Sequence, residues 1–89
     1  MGASATPKPV LYFYHKADCH LCDAMARQLA EFKRAANIRF EIVARDIRDN
    51  PRWYRRYREY VPTLVLNRRE ICHYFLDTDE LKAALSGDE

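Results

Sequence analysis

Two cysteines, Cys19 and Cys22, stand three residues apart between an apolar run and a run with helical periodicity. The run before them, Val10-Leu11-Tyr12-Phe13-Tyr14, has no polar alternation and suits a strand covered on both faces. The run after them repeats Leu21, Met25, Leu29, Phe32 and Ala36 at four- and three-residue steps, the period of a helix with one face on a core. A helix beginning at Cys19 puts that thiol at the positive end of the helix dipole, with Cys22 one turn inside on the same face. Such a position lowers a thiol pKa below its reference of about 8.5, and the second thiol is near enough to close a disulfide.

The chain has 89 residues, enough for one small domain with a modest core. Residues 1–8 read as a flexible leader, 9–86 as the domain and 87–89 as a tail. No stretch approaches the roughly 20 apolar residues of a membrane span, and residues 1–9 lack the apolar centre of a signal peptide. Three cysteines is an odd number, which argues against a secreted disulfide scaffold. A reactive pair plus one ordinary thiol suits a reducing compartment, so a cytoplasmic location is expected. Eight arginines fall within residues 45–69, whereas Lys82 is the only lysine or arginine after residue 69. The basic segment suits an anionic partner, or more simply a solvated helix face balanced by the acidic C-terminal end. The second reading is the expectation, and nucleic acid is not an expected partner.

The coarse order is β-α-β-α-β-β-α. Ile38, Phe40 and Ile42 alternate with Arg39 and Glu41, as in a strand. Asp49-Asn50-Pro51 reads as a helix start with proline at the first helical position, placing Trp53, Tyr57 and Tyr60 on one face directed to the core. Thr63 to Leu66 and Glu70 to Phe75 read as a hairpin turning through Asn67-Arg68-Arg69, without the usual glycine. Asp77-Thr78-Asp79-Glu80 has the character of a helix cap before Leu81, Ala84 and Leu85. The first two strands, joined by a helix, should be parallel with a right-handed crossover. The cysteine pair then lies at the carboxyl end of the first strand, where open α/β sheets place their ligands.

This order, with the Cys19–Cys22 pair after the first strand and Val61-Pro62 before the third, resembles the thioredoxin fold. More narrowly it resembles small bacterial glutaredoxin-like proteins over roughly residues 9–86. The resemblance implies a four-stranded mixed sheet with flanking helices and a thiol–disulfide oxidoreductase. Cys19 would be the nucleophile and Cys22 the resolving thiol. It gives Lys16 the role of the lysine that holds the glycine carboxylate of glutathione. It makes Pro62 a cis proline facing the site, and Val61 the residue whose backbone pairs with the bound peptide or glutathione. The implied partners are a protein disulfide or a glutathione mixed disulfide, with glutathione as a candidate reductant or co-substrate. No tightly bound cofactor, no resident metal and a monomeric chain are expected. Glutaredoxins usually carry Pro-Tyr between their thiols, where this chain has His20 and Leu21. The family's Gly-Gly is replaced by the bulk of His73-Tyr74-Phe75-Leu76, so weaker glutathione handling is expected.

His20, when protonated, would stabilise a Cys19 thiolate, or it faces solvent. Asp18 opposes the thiolate as a negative neighbour. Cys72 reads as a packed strand residue and His73 as a strand-face residue. Two other function classes use the same residues. One is a soft-metal or iron–sulfur protein holding Cu(I), Zn(II) or a bridging cluster through Cys19 and Cys22. The other is an interaction module of the same fold with idle chemistry.

Overall fold

A computed structural model describes residues 8–87. The leader assigned to residues 1–8 lies outside the described residues except for Lys8, whose ammonium pairs with Glu41 at 3.7 Å. Residues 88–89 of the tail also lie outside. The elements are β1 (Val10–His15), α1 (His20–Ala35), β2 (Glu41–Asp46), a 3₁₀ turn (Ile47–Asp49), α2 (Pro51–Tyr57), β3 (Thr63–Leu66), β4 (Arg69–His73) and α3 (Thr78–Leu85). The sheet order is β2-β1-β3-β4. β1 runs parallel to β2 and antiparallel to β3, and β3 runs antiparallel to β4.

β1 organises the molecule because its side chains alternate between two cores. Leu11 and Phe13 join Met25, Leu29 and Phe32 of α1 and Leu81 and Ala84 of α3. Tyr14, with Tyr12 packed beside it, joins Ile47, Tyr57 and Val61 on the opposite face, against α2. The strand is therefore buried on both faces, as its unbroken apolar run implies.

Each helix starts where its sequence supplies a cap. The side chain of Asn50 accepts the Arg52 amide at 2.8 Å, with Pro51 opening α2. Asp77 accepts the Glu80 amide at 3.0 Å at the start of α3.

Four local expectations are corrected. The second strand begins at Glu41, so Ile38 and Phe40 precede it. The parallel register pairs Val10 with Glu41, and residues 37–40 serve to return the chain from α1. Phe40 is nonetheless buried, edge-on to Phe32, and its carbonyl accepts from the Lys33 ammonium. β4 begins at Arg69 and ends at His73, because Tyr74 takes φ +68° and leaves the strand conformation. The buried stripe of α1 runs through Cys22, Met25, Leu29 and Phe32, and Leu21 turns outward. Tyr60 lies beyond the end of α2 and is exposed, while Tyr57 is buried and Trp53 half-buried.

The hairpin turn is two residues long, Asn67-Arg68, and Leu66 pairs with Arg69. Both turn residues have positive φ, +53° and +66°, the signature of a type I′ turn whose twist suits adjoining strands. Asparagine accepts this conformation readily, whereas arginine strains against its Cβ at roughly 1–2 kcal/mol. Arg68→Gly should therefore raise stability by about 0.5–1 kcal/mol, after the extra freedom glycine gives the unfolded chain is discounted. The check is urea unfolding, with a higher midpoint at an unchanged m value.

Candidate active site

Cys19 is the N-cap of α1, and its sulfur accepts the Cys22 amide at 3.1 Å. The first helical turn leaves amides without intrahelical acceptors, and here a sulfur takes one of them. Cys19 and Cys22 are joined as a disulfide with Cα atoms 5.1 Å apart, within the usual 4.4–6.8 Å span. The two sulfurs sit in different surroundings. Cys22 is 3% exposed, among Tyr14, Ile47, Tyr57 and Val61. Cys19 is half-buried at the edge of the same cluster.

The approach to the motif is bent sharply. Asp18 takes φ +55°, a conformation aspartate tolerates better than most residues, and this turns the end of β1 into the start of α1. Lys16 is half-buried on this connection, and Asp18 and His20 are exposed. His15 ends β1 opposite Asp46 at the end of β2. The Asp46 carboxylate accepts from the Arg48 backbone amide and guanidinium at 2.9 Å each, which holds its pKa down to about 2. Any stability this adds is present above the ordinary aspartate value and fades as pH falls through about 2.

Val61 and Pro62 are buried, and the bond between them is cis. The structure thus brings Cys19, Cys22 and Val61 into one cluster, with Pro62 next in the chain. The segment after β4 is tied to this one. The Tyr74 amide donates to the Pro62 carbonyl at 2.8 Å, and the Tyr74 hydroxyl donates to the Glu59 carbonyl at 2.5 Å. Tyr60, His73 and Tyr74 pack edge-on or stacked beside it, and Phe75 is 69% exposed. The His73 imidazole meets the Glu70 carboxylate at 2.6 Å, on the exposed side of the strand.

The sequence reading missed the wall behind Cys22. Ile47 is fully buried there, and Tyr14 and Tyr57 stack with centroids 4.2 Å apart. Ile47 stands alone as an aliphatic residue among charged neighbours, and that isolation is its one signal in the sequence. Among the described residues, no group of three or more His, Cys, Asp or Glu side chains is placed to hold a metal ion. None of their helices is long and apolar enough to cross a membrane.

Residues 10–86 match the family model described as Glutaredoxin-like domain (DUF836). The chain belongs to this glutaredoxin-like family. The solution NMR structure of protein Ne2328 from Nitrosomonas europaea is 30% identical, with a TM-score of 0.71 over 94% of this chain and 99% of that one. A structure described only as a malarial protein is 15% identical, with a TM-score of 0.66 over 91% and 97% of the two chains. Thioredoxin 1 from the thermophilic eubacterium Thermosipho africanus is 16% identical, with a TM-score of 0.59 over 89% and 97%. The last two show the shared fold. The glutaredoxin-like assignment and the β-α-β-α-β-β-α order agree with the sequence reading.

Cys72 is the free cysteine among the described residues. It is half-buried on β4 against the core of α1 and α3, and burial pushes its thiol up from the ordinary value. Fewer thiolates are then present at neutral pH. At pH 8 Cys72 should react with iodoacetamide several-fold more slowly than a cysteine in an unstructured peptide, as measured by mass-spectrometric mapping of the reduced protein.

Proposed function

We propose that this glutaredoxin-like chain is a thiol–disulfide oxidoreductase acting through Cys19 and Cys22. The observation that carries the reading is the unequal pair: a half-exposed sulfur that receives a helix N-terminal amide, backed by a buried one three residues on. In the reduced protein, the Cys19 thiolate attacks one sulfur of a target disulfide. A Cys19–target bond forms, and the other target sulfur leaves as a thiolate and takes up a proton. Cys22 loses its proton and attacks Cys19. The Cys19–Cys22 disulfide forms and the second target thiol is released. The target gains two electrons and two protons, and the dithiol loses them. An external thiol reductant then restores the dithiol.

The cis Val61-Pro62 segment, in the cluster of the two cysteines, supports a docking role for the Val61 backbone toward an extended substrate chain. Lys16 on the β1–α1 connection is proposed to attract a substrate carboxylate. His20, exposed at the first position of α1, is proposed to favour the thiolate when protonated. Glutathione is the weaker candidate reductant. Where the resemblance puts the family's glycine pair, His73 to Leu76 bring side-chain bulk, and the Tyr74 hydroxyl donates to the Glu59 carbonyl. Loss of one well-satisfied charged contact there costs on the order of 1–3 kcal/mol. That corresponds to roughly tenfold to hundredfold in affinity. A cytoplasmic, monomeric protein acting on protein disulfides is the proposed setting.

Cys22→Ser should trap a mixed disulfide on Cys19 when mixed with a disulfide-containing substrate, visible by non-reducing mass spectrometry. Cys19→Ser should trap none. A redox titration of the metal-free protein should place the pair between roughly −270 and −200 mV. Trapping on Cys22 instead would reverse the roles. A dithiol that no disulfide substrate oxidises would end the oxidoreductase reading. Turnover of a glutathione mixed disulfide should be roughly tenfold to hundredfold below that of an ordinary dithiol glutaredoxin.

A further inference from the structure

The face of the sheet that carries α2 is only partly covered. α2 is seven residues long, about 10 Å of helix, whereas β1 alone spans about 20 Å. Where the helix stops, a cleft of about 470 Å³ opens over Tyr12 and Val65. Tyr14 and Tyr57 form the end nearest the buried cysteine, so the cleft lies behind the dithiol and is separate from it. Three arginines line it from three elements: Arg45 of β2, Arg56 of α2 and Arg68 of the hairpin turn.

Of the other arginines in the basic segment, Arg52, Arg55 and Arg58 lie on and just after α2, away from the cleft lining. Arg48 pairs with Asp46 and Arg69 with Glu80. Arg45, Arg56 and Arg68 have no carboxylate within ion-pair distance among the described residues. Arg45 is held in place without one. It donates to the Tyr14 hydroxyl at 2.9 Å and lies over the rings of Tyr12, at 4.0 Å, and Trp53, at 4.7 Å. Arg68 occupies a positive-φ position that glycine fills at lower cost. Glu70, paired across the sheet with Val65, is the nearby carboxylate, and it is engaged by His73. Like charges gathered in this way repel, and an anion among them removes the repulsion. A planar guanidinium fork matches phosphate oxygens two at a time. The rest of the lining is tyrosine and valine, which suits a flat ring. The volume falls in the usual range for small-molecule sites.

We propose that this cleft binds a small phosphorylated ligand with a planar ring, of the mononucleotide class. The phosphate sits among Arg45, Arg56 and Arg68, and the ring lies against the tyrosine floor. Free phosphate shares the anionic half of this chemistry, and the test separates the two.

The experiment titrates the full-length protein, followed by amide NMR, with adenosine monophosphate, inorganic phosphate and adenosine at low salt. The expected result is saturable shifts at Tyr12, Arg45, Arg56 and Arg68 with adenosine monophosphate. Phosphate should bind more weakly at the same arginines, and adenosine more weakly still. Arg56→Ala and Arg68→Gly should each weaken adenosine monophosphate binding roughly tenfold, the loss of one charge-assisted contact. Arg56 is exposed on its helix, and Arg68→Gly is expected to stabilise the fold, so both variants should retain native spectra. Absence of saturable shifts with adenosine monophosphate would overturn the proposal. So would shifts undiminished in both variants, adenosine binding as tightly as its monophosphate, or phosphate binding as tightly as the nucleotide.

Discussion

The amide of Cys22 pointing at the sulfur of Cys19 is the interaction on which the rest of the site depends. A helix must satisfy its first amides, and most use an oxygen from Ser, Thr, Asp or Asn. Here a cysteine sulfur, bonded to that of Cys22, occupies the cap. The contact that starts the helix therefore involves the same sulfur that the proposed chemistry uses. Amide dipoles at a helix start favour negative charge, which is the physical basis for proposing Cys19 as the nucleophile of the reduced pair. Local structure and proposed chemistry use the same atoms, and changing the cap residue would alter both.

That arrangement needs a fixed platform, which β1 supplies. Its alternating residues lock into one core with α1 and α3 and into another with α2. The strand end that feeds the Asp18 bend is therefore held on both faces. Cys22 belongs to the second core, so its burial follows from the packing of Tyr14, Ile47 and Tyr57. The exposure difference between the two sulfurs then comes from helical geometry. One residue precedes the helix at its rim, and the other lies a turn inside on the buried side. The same second core ends early because α2 is short, and this leaves the arginine-lined cleft open on the far part of the sheet.

Much of this was legible in the sequence because it is local. The cysteine spacing, the apolar run of β1, Asn50-Pro51 and Asp77 each mark an element through contacts a few residues apart. Family resemblance supplied Val61-Pro62. What escaped depends on partners distant in the chain. The start of β2 is set by its register on β1, so the alternation through Ile38 and Phe40 misled. The end of β4 is set by the tie from Tyr74 to Pro62, and strand propensity alone does not contain it. Leu21 and Cys22 are adjacent, and the helix can bury only one of them. The second core chose Cys22, and no local pattern distinguishes the two. The arginines of residues 45–69 were read together as one solvated face. The fold gathers Arg45, Arg56 and Arg68 on the cleft, pairs Arg48 and Arg69 with carboxylates, and leaves Arg52, Arg55 and Arg58 on the solvated surface of and just after α2.

The central claim is that the start of α1 makes Cys19 the reactive thiolate. Its most direct test is the pH dependence of iodoacetamide alkylation at Cys19 in the reduced protein, followed by mass spectrometry with Cys72 as an internal reference. The account expects a midpoint below the reference of about 8.5, with Cys19 labelled ahead of Cys22 throughout. A midpoint at or above that reference, or earlier labelling of Cys22, would contradict it.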